Sequence, residues 1–427
     1  MTSQSLSPAP ALDPHHGAVP PVRTVKLAIV LGALTAITPL TIDTYLPALP
    51  TIAAEFRATD SAVQLTLTAT LLGVAGGQLL MGPLADRFGR RRPLIAGLLL
   101  HLVASVLCAF APNVELLMIA RTLQGIGAAA GAVISLAIVR DLLTGLPAAR
   151  LLARLMLVTG VAPILAPTIG SLVLRTTTWN GLFVLLALIA AALAVVAATV
   201  LPETLPPARR RTGGVLAAFR TYGTLLRERQ FVGLTLVAGL AMTVILGYVS
   251  GASFVMQNQF GLSSAMFGIV FGANSIGLIV MSQLNPVLLR RFAAVVVLRT
   301  ALVIATVGAT ALVTVSALDI GGLPAVMVAM FVTLASCGLA MPNLPGLALA
   351  RHGEAAGTAA AVLGAVQFGA GALLAPLVAV GGEISALSMG LVILAGAAGA
   401  LLVLLFVVRP RTLLIPDPAD APVVVGH

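Results

Sequence analysis

Long runs of apolar residues recur along the whole 427-residue chain, and short polar segments separate them. A run of about 20 residues is long enough to cross the ~30 Å hydrocarbon core of a bilayer as a helix. The pattern therefore predicts twelve membrane-spanning helices. Their predicted bounds are 25–47, 62–82, 93–111, 114–140, 151–175, 180–201, 230–256, 265–289, 294–317, 321–350, 354–380 and 385–408.

The composition agrees with this pattern and excludes whole classes of protein. Hydrophobic residues make up 59% of the chain and charged residues only 9%. Soluble domains average roughly 25% charged residues, so this chain cannot cover a water-facing surface. A soluble enzyme and an ordinary nucleic-acid-binding domain are excluded, and we expect an all-α integral membrane protein.

The longest polar stretch follows the sixth predicted helix and divides the chain into two sets of six. We expect a disordered N-terminal tail, a first six-helix bundle, a basic linker, a second six-helix bundle and a C-terminal tail. Their predicted bounds are 1–24, 25–201, 202–229, 230–408 and 409–427. No G-x-x-x-x-G-K-[ST] phosphate-binding segment occurs in the sequence, so we do not expect ATP to drive this chain.

The basic residues predict the orientation in the membrane, because cytoplasmic loops are enriched in Lys and Arg. With the N-terminus in the cytoplasm, all 24 basic residues except Arg57, Arg121 and Arg175 lie on the cytoplasmic side. Both termini and the linker are then cytoplasmic, and helix 1 is expected to remain uncleaved. The basic excess faces anionic membrane lipid, and no nucleic acid partner is expected.

Two ionisable residues fall inside predicted spans, where a charge costs a few kcal/mol and needs a reason. They are Asp43 in helix 1 and Arg121 in helix 4. At 1.5 Å per residue, Asp43 lies roughly 26 Å from Lys26 and Arg121 roughly 29 Å from Arg140. Both charges thus reach about the same level, in the outer half of the bilayer, and we expect them to share a cavity, directly or through water. Such a pair suits a carboxyl group that binds a proton in one state and releases it in another.

Each of these residues also has a purely structural interpretation. Asp43 can cap a turn just before Pro47 at the end of helix 1. Arg121 can extend to the lipid head groups or bind backbone carbonyls. The equal depth of the two charges favours a functional pair, and the sequence alone does not decide whether they touch.

The segment between helices 2 and 3 reads G-P-L-A-D-R-F-G-R-R. Its glycines permit tight backbone geometry, its acid can pair with an arginine, and its arginines can hold lipid phosphates or carboxylates. A generic basic loop would not need the spacing G-x-x-x-D-R-x-G-R-R, so we predict a gating loop. Its residues are Gly82, Asp86, Arg87, Gly89, Arg90 and Arg91.

Helices 4 and 5 carry short motifs of small residues and prolines, which permit close packing and bending in membrane helices. Helix 4 contains R-T-L-Q-G at 121–125, and helix 5 contains G-V-A-P at 160–163 and A-P-T-I-G at 166–170. The residues singled out are Gln124, Gly125, Gly160, Pro163, Pro167 and Gly170.

Together these motifs resemble those of the major facilitator superfamily, specifically its twelve-helix drug:H⁺ antiporters. The loop at 82–91 is similar to the loop 2–3 signature, and 121–125 is similar to the helix 4 proton-relay motif. The helix 5 run resembles the antiporter motif, although Ala166 and Ser171 stand where glycines are expected. Segments similar to the Bcr/CflA (bicyclomycin/chloramphenicol resistance) branch are I-D-T-Y-L-P-A-L-P (42–50), P-E-T-L-P-P (202–207) and A-G-T-A-A-A-V-L-G (356–364).

The resemblance implies two pseudo-symmetric six-helix bundles around a central cavity that opens alternately to either side. It implies that Asp43 is the protonation site, that Arg121 is its relay partner, and that the 82–91 loop is a gate latch that contacts Arg140 and Gly353. The second-half copy, P-V-L-L-R-R at 286–291, lacks the acid and the glycines, so we expect a one-sided latch. Candidate cavity residues are Tyr45, Met242, Tyr248, Phe254, Asn274, Gln367 and Phe368.

The function implied by the resemblance is proton-coupled export of small lipophilic drugs from a bacterial plasma (inner) membrane. The proton gradient supplies the energy, no cofactor or metal is needed, and the protein is expected to be a monomer. A carrier of a physiological metabolite such as a sugar, an amino acid or a small peptide is the main alternative. A membrane-embedded enzyme would need clustered carboxylates or histidines, whereas His101 stands alone in helix 3. A receptor or channel would not explain the loop 2–3 and helix 4 motifs together.

Overall fold

The computed structural model describes residues 21–210, 222–350, 356–379 and 383–409. In these ranges twelve helices are long and apolar enough to cross a membrane, and no residue is in a β-strand. The chain is therefore the all-α multi-pass protein that the sequence predicted. Helices 1 to 12 are Pro21–Asp43, Asp60–Phe88, Arg91–Ala109, Val114–Leu142, Gly145–Val173, Trp179–Thr199, Arg229–Phe254, Ser264–Leu288, Ala294–Ala317, Gly322–Leu349, Ala356–Leu374 and Ala386–Leu402.

The helix ends differ from prediction where proline or the loop 2–3 segment intervenes. Helix 1 ends at Asp43 instead of 47, and a 3₁₀ turn (Leu46–Ala48) joins it to a short helix, Leu49–Phe56. Helix 2 continues to Phe88 instead of 82, with Pro83 inside it. Three helices end in short non-α turns, which are Val255–Gln259, Ala375–Ala379 and Val403–Val408.

Helix packing repeats between the two halves of the chain. In the first half, helix 4 packs on helices 2 and 3, helix 3 also packs on helix 6, and helix 1 packs on helix 5. In the second half, helix 10 packs on helices 8 and 9, helix 9 on helix 12, and helix 7 on helix 11. The chain therefore forms two pseudo-symmetric six-helix bundles. Helix 2 meets helix 11, and helix 5 meets helix 8, where the bundles touch.

The buried apolar residues show at which end the bundles are joined. We call the end that carries the loop between helices 1 and 2 the loop 1–2 end, and the opposite end the loop 2–3 end. One apolar cluster at the loop 1–2 end contains residues of both bundles, among them Tyr45, which follows helix 1, and Phe271 in helix 8. Towards the loop 2–3 end each bundle has its own cluster.

Hydrogen bonds between the bundles strengthen the closure of the loop 1–2 end. Ser253 in helix 7 donates to the carbonyl of Leu46 (2.6 Å), and Gln64 in helix 2 donates to the carbonyl of Ala375 (2.9 Å). Both acceptor carbonyls lie in 3₁₀ turns that interrupt helix 1 and end helix 11. The structure thus describes a conformation closed at this end.

The predicted domain bounds remain predictions, because much of the tails and linker lies outside the described ranges. Helix 1 already begins at Pro21, inside the predicted 1–24 tail. The first part of the 202–229 linker, up to residue 210, follows helix 6 without an α-helix and contains one 3₁₀ turn, Pro207–Arg209.

Candidate functional site

Asp43 lies at the point where helix 1 breaks. Pro47 has no N–H to donate to the Asp43 carbonyl, and its ring clashes with a helical carbonyl four residues earlier, so the helix ends at Asp43. The Asp43 side chain is only 4% exposed, and within the described ranges it makes no hydrogen bond or ion pair. It does not cap the turn before Pro47, so the structural interpretation of Asp43 is not supported.

Arg121 is completely buried, which excludes extension of its side chain to lipid head groups. Its Nη1 atom donates to the backbone carbonyl of Thr41 (3.0 Å) and to the Oε1 atom of Gln124 (2.6 Å). The guanidinium also lies over the rings of Tyr45 and Phe183, 4.5 Å and 5.6 Å from their centroids. Arg121 therefore makes the hydrogen bond to a backbone carbonyl that its structural interpretation required, and this bond connects helix 4 to helix 1.

Arg121 binds the carbonyl two residues before Asp43, which places the two residues at about the same level of the first bundle. The two side chains do not form an ion pair in this conformation of the described chain. The Nε and Nη2 atoms of Arg121 are buried and have no hydrogen-bond partner. This is the edge of a guanidinium that can bind a carboxylate through two hydrogen bonds.

The helix 4 and helix 5 motifs let the helices of the first bundle approach closely. A Cβ atom at Gly125 would collide with the carbonyl of Thr70 in helix 2. A Cβ atom at Gly170 would collide with the carbonyl of Thr44, the residue after Asp43. The antiporter-like motif of helix 5 therefore packs directly on the break in helix 1.

The same helix 5 motif faces the second bundle on its other side. Gly160 lies near Ile279 of helix 8, and the carbonyl of Pro167 lies near Gly268. Pro163 and Pro167 are inside helix 5, as predicted. The hydroxyl of Ser171, where a glycine was expected, donates to the carbonyl of Ser264 (2.7 Å) and so joins the two bundles.

Arg90 is the centre of a charged cluster at the loop 2–3 end. Its Nη1 atom lies 2.5 Å from Asp86, and its Nε atom lies 2.8 Å from Asp141 at the end of helix 4. Thr204 also donates to Asp141 (3.0 Å). Burial lowers the pKa of Arg90, but the hydrogen bonds from Arg90 to Asp141 and Asp86 outweigh it and raise the pKa above its usual value. The Arg90 guanidinium therefore stays positively charged and bridges the acids of helices 2 and 4.

Glu203 is a member of this cluster that sequence reasoning missed. Its carboxylate accepts hydrogen bonds from the backbone N–H groups of Arg90 (2.7 Å), Arg91 (3.3 Å) and Leu205 (3.0 Å). It thereby caps the N-terminus of helix 3. Partial burial raises the pKa of Glu203, but these N–H donors and the charge of Arg210 outweigh it and lower the pKa below its usual value.

Of the remaining loop residues, Gly89 contacts the charged cluster, Arg91 binds the end of helix 6, and Arg87 lies outside the cluster. Gly89 has φ +89°, and a Cβ atom there would collide with the Glu203 carboxylate, so a glycine is needed. Arg91 donates to the carbonyl of Ala198. Arg87 is exposed and lies over the Phe88 ring.

Two expectations for this loop are corrected, and one cannot be examined. Gly82 lies inside helix 2 with open space around it and makes no tight turn. Arg140 is exposed and makes no hydrogen bond or ion pair to the described residues, since the next residue, Asp141, provides the helix 4 contact. Gly353 lies outside the described residues.

The second bundle has a neutral counterpart to this cluster. Asn285, which precedes the degenerate 286–291 copy, exchanges amide hydrogen bonds with Asn343 of helix 10 (2.9 and 3.5 Å). Both side chains are buried. An amide pair thus joins helices 8 and 10, as Arg90 joins helices 2 and 4.

The candidate cavity residues are only partly brought together. Asn274 donates to the hydroxyl of Tyr248 (3.2 Å), and the Tyr248 ring stacks on Phe271 at 4.9 Å. Tyr45 instead belongs to the Arg121 group, and its hydroxyl bonds that of Thr66. The others lie elsewhere in the second bundle: Phe254 is buried in the shared apolar cluster, Met242 and Phe368 pack against that cluster, and Gln367 is half-buried.

Comparison with known proteins agrees with this geometry. Residues 31–376 match the Major Facilitator Superfamily. The chain is 37% identical to the uncharacterized MFS-type transporter YdgK of Bacillus subtilis (strain 168), over 86% of this chain and 91% of that protein. It is 31% identical to the multidrug resistance protein MdtL of Klebsiella pneumoniae (strain 342), over 88% and 94% of the two chains.

A more distant relative and a solved structure complete the comparison. The bicyclomycin resistance protein homolog of Haemophilus influenzae is 29% identical, over 83% of this chain and 89% of that protein. The crystal structure of a D-xylose-proton symporter has a TM-score of 0.71 at 17% identity, over 91% and 99% of the two chains, and shows the same fold. The chain therefore belongs to the major facilitator superfamily and is a membrane transporter, not an enzyme.

Proposed function

We propose that this transporter exports small lipophilic drugs in exchange for protons, and that Asp43 carries the proton. The observation that carries the proposal is the buried Asp43 carboxyl, unpartnered in the described chain, at the break of helix 1. It lies two residues from a carbonyl held by Arg121, whose Nε and Nη2 atoms are free. The names of the resistance relatives support drugs as the cargo.

The two protonation states of Asp43 need different surroundings. An ionised carboxylate without a partner is costly to bury, whereas the neutral acid is tolerated. Ionised Asp43 can be stabilised by the free edge of Arg121, which requires the segment after Thr41 to move towards helix 4. Proton binding would release this pairing, so the position of helix 1 would follow the protonation state.

The orientation predicted from the basic residues gives this conformation a direction. The loop 2–3 end would face the cytoplasm, so the structure, closed at the loop 1–2 end, would be inward-facing. In this state Asp43 would release its proton to the cytoplasm and the cavity would accept a drug. Return to the outward-facing state would release the drug and load the next proton, in a bacterial plasma membrane with both termini cytoplasmic.

Proton release on drug binding tests this proposal. Purified protein in weakly buffered detergent solution is mixed with a panel of lipophilic drugs, and pH is recorded for wild type, Asp43→Asn and Glu115→Gln. Glu115 is an exposed acid in the first turn of helix 4 and serves as the matched control. We expect saturable release from wild type and from Glu115→Gln, and none from Asp43→Asn.

The other outcomes separate the parts of the proposal. Release that survives Asp43→Asn would assign the proton to another group and retain drug exchange. If no drug causes proton release but a sugar, an amino acid or a small peptide causes proton release or uptake, the substrate is a metabolite and not a drug.

A further inference from the structure

A buried polar network connects helices 1, 3 and 4 beside the proposed proton site. Two of its members, Arg121 and Gln124, belong to the helix 4 motif, whereas the other three have no assigned role. All five side chains are completely buried. They are Thr41, His101, Ser105, Arg121 and Gln124.

The positive charge of Arg121 fixes the direction of the hydrogen bonds. A guanidinium only donates, so the Gln124 side chain must present its oxygen to Arg121 and its NH₂ group to the Ser105 hydroxyl (2.7 Å). Ser105 then directs its own proton to the backbone carbonyl of His101 (2.7 Å). The chain of bonds therefore runs from Arg121 to helix 3.

The same reasoning assigns the tautomer of His101. The Thr41 hydroxyl donates to the carbonyl of Ile37 (2.6 Å), and its oxygen lies 2.8 Å from the Nε2 atom of His101. Because a hydroxyl has only one proton, the Nε2 atom must be the donor in this contact. The Nε2 atom of His101 therefore carries a proton, and the Nδ1 atom lies 3.3 Å from the Ser105 hydroxyl. Burial beside the positive charge of Arg121 disfavours a second proton on the ring, so we assign a neutral imidazole with its proton on Nε2.

Thr41 is consequently held at two points, two residues before Asp43. His101 binds its hydroxyl and Arg121 binds its carbonyl. Close packing of helices 3 and 4 also fixes the position of His101 along helix 3. Gly127 of helix 4 lies so near that a Cβ atom there would be only 2.6 Å from the His101 backbone nitrogen. The network thus locks the last turn of helix 1 onto helices 3 and 4.

We propose that His101 is a positioning residue for proton coupling. By holding the hydroxyl of Thr41, whose carbonyl binds Arg121, it sets the separation between Asp43 and the free edge of Arg121. The inference rests on the proposed function of Asp43 as the proton carrier. His101 does not itself carry the transported proton in this scheme.

The neighbouring titratable groups are few, which makes pH dependence an informative measurement. The charge of Arg121 in helix 4 acts on His101 and Cys108 of helix 3 and on Tyr45, which follows the end of helix 1. Helix 6, which also packs on helix 3, has no titratable side chain between Trp179 and Thr199. A change in the pH midpoint of proton release therefore reports on the Asp43 and Arg121 pair.

The test compares drug-induced proton release as a function of pH in wild type, His101→Ala, His101→Gln and Thr41→Val. Loss of the hold on Thr41 in His101→Ala and Thr41→Val is expected to shift the midpoint by about half a pH unit or more. His101→Gln keeps an N–H donor near Thr41 and cannot titrate, so its midpoint should match wild type. The His101→Ala/Thr41→Val double variant should shift no further than either single variant.

Two results would overturn the inference. An unchanged midpoint in both His101→Ala and Thr41→Val would show that the hold does not matter. Abolished release in His101→Gln, with its thermal stability intact, would make His101 a proton carrier instead of a positioning residue.

A spectroscopic measurement tests the inference even if wild type releases no proton and the proposed function fails. In protein labelled with ¹⁵N-histidine, the His101 signal is identified by its loss in His101→Gln. We expect a neutral imidazole with the proton on Nε2 between about pH 5 and pH 8. We also expect a changed signal in Thr41→Val. Protonation of His101 within this range, or a signal that Thr41→Val leaves unchanged, would contradict the inference.

Discussion

The hydroxyl of Ser253 donates a 2.6 Å hydrogen bond to the carbonyl of Leu46, three residues beyond Asp43. Leu46 begins the 3₁₀ turn that interrupts helix 1, and Ser253 lies in helix 7 of the other bundle. A contact that closes the loop 1–2 end is thus attached to the segment that carries the proposed proton site. We therefore expect movement of this segment to be coupled to opening of the transporter at this end.

Removing this contact should favour opening of the loop 1–2 end. A single hydrogen bond contributes about 1 kcal/mol, so Ser253→Ala should change the ratio of closed to open molecules about fivefold. Spin labels at the exposed positions Arg57 and Asp319, in a chain with Cys108 and Cys337 replaced by Ala, should show a larger population of long distances in double electron–electron resonance.

The matched control for Ser253→Ala is Thr243→Ala, which removes a hydroxyl whose only hydrogen bond to the described residues lies within helix 7. This control should leave the distance distribution unchanged. Equal distributions in Ser253→Ala and wild type would show that the Leu46 contact does not hold the loop 1–2 end closed.

The charged cluster at the loop 2–3 end should govern turnover more than drug binding. Arg90→Ala removes the bridge between Asp86 and Asp141 and leaves a largely buried acid, Asp141, near a second acid, Asp86, that is 35% exposed. We expect transport turnover in proteoliposomes to fall about tenfold, equivalent to ~1.4 kcal/mol in the barrier, with drug affinity changed less than about twofold. Arg87→Ala, an exposed arginine of the same loop, should have a much smaller effect. Similar losses of turnover in Arg90→Ala and Arg87→Ala would show that the loop acts only through its overall positive charge.

Glu203 should give the protein a pH-dependent increment of stability. Its pKa is lower in the folded protein than in the unfolded chain, so its contribution is present above about pH 4.3 and is lost as the pH falls through the folded value. Glu203→Ala should lower stability by about 1 kcal/mol or less at neutral pH, because the group caps helix 3 but is exposed.

Thermal unfolding in detergent at several pH values measures this contribution of Glu203. The difference in Tm between wild type and Glu203→Ala should be constant at neutral pH and shrink below about pH 4. Glu203→Gln keeps an acceptor oxygen without the charge, so the gap between the Gln and Ala variants should not vary with pH. A pH-independent gap between wild type and Glu203→Ala would contradict the assigned role.

Much of the fold could be predicted from the sequence, because the apolar runs are long and polar residues separate them. The bounds of helix 9, 294–317, were predicted to the residue. The end of helix 1 was not, since the apolar run continues through the break. The available signal was Pro47, which leaves the carbonyl of Asp43 without an N–H donor and ends the helix four residues earlier.

The candidate site was predictable only where charge revealed it. Asp43 and Arg121 stand out because charges are rare inside the spans. Among the described residues, the partner of His101 outside its own helix is the neutral hydroxyl of Thr41 on helix 1, so nothing in the sequence connects these two residues. Glu203 lies 113 residues from Arg90 in sequence, and its capping of helix 3 depends on how the end of helix 6 folds back.

Helix 5 packs closely on the break in helix 1 at Gly170 but not at Gly160. Replacing each glycine by alanine therefore separates the effect of this close packing from the change in helix propensity. In Gly170→Ala the new methyl group would collide with the backbone carbonyl of Thr44, which cannot move as a side chain can. Overpacking of this kind costs about 1–3 kcal/mol and should displace the segment next to Asp43, lowering both Tm and drug-induced proton release. In Gly160→Ala the nearest atom is 3.6 Å away on Ile279, so the methyl group fits and the gain in helix propensity, about 1 kcal/mol, should keep or raise Tm. If the two variants behave alike in both measurements, the close contact between helix 5 and Thr44 has no role in coupling.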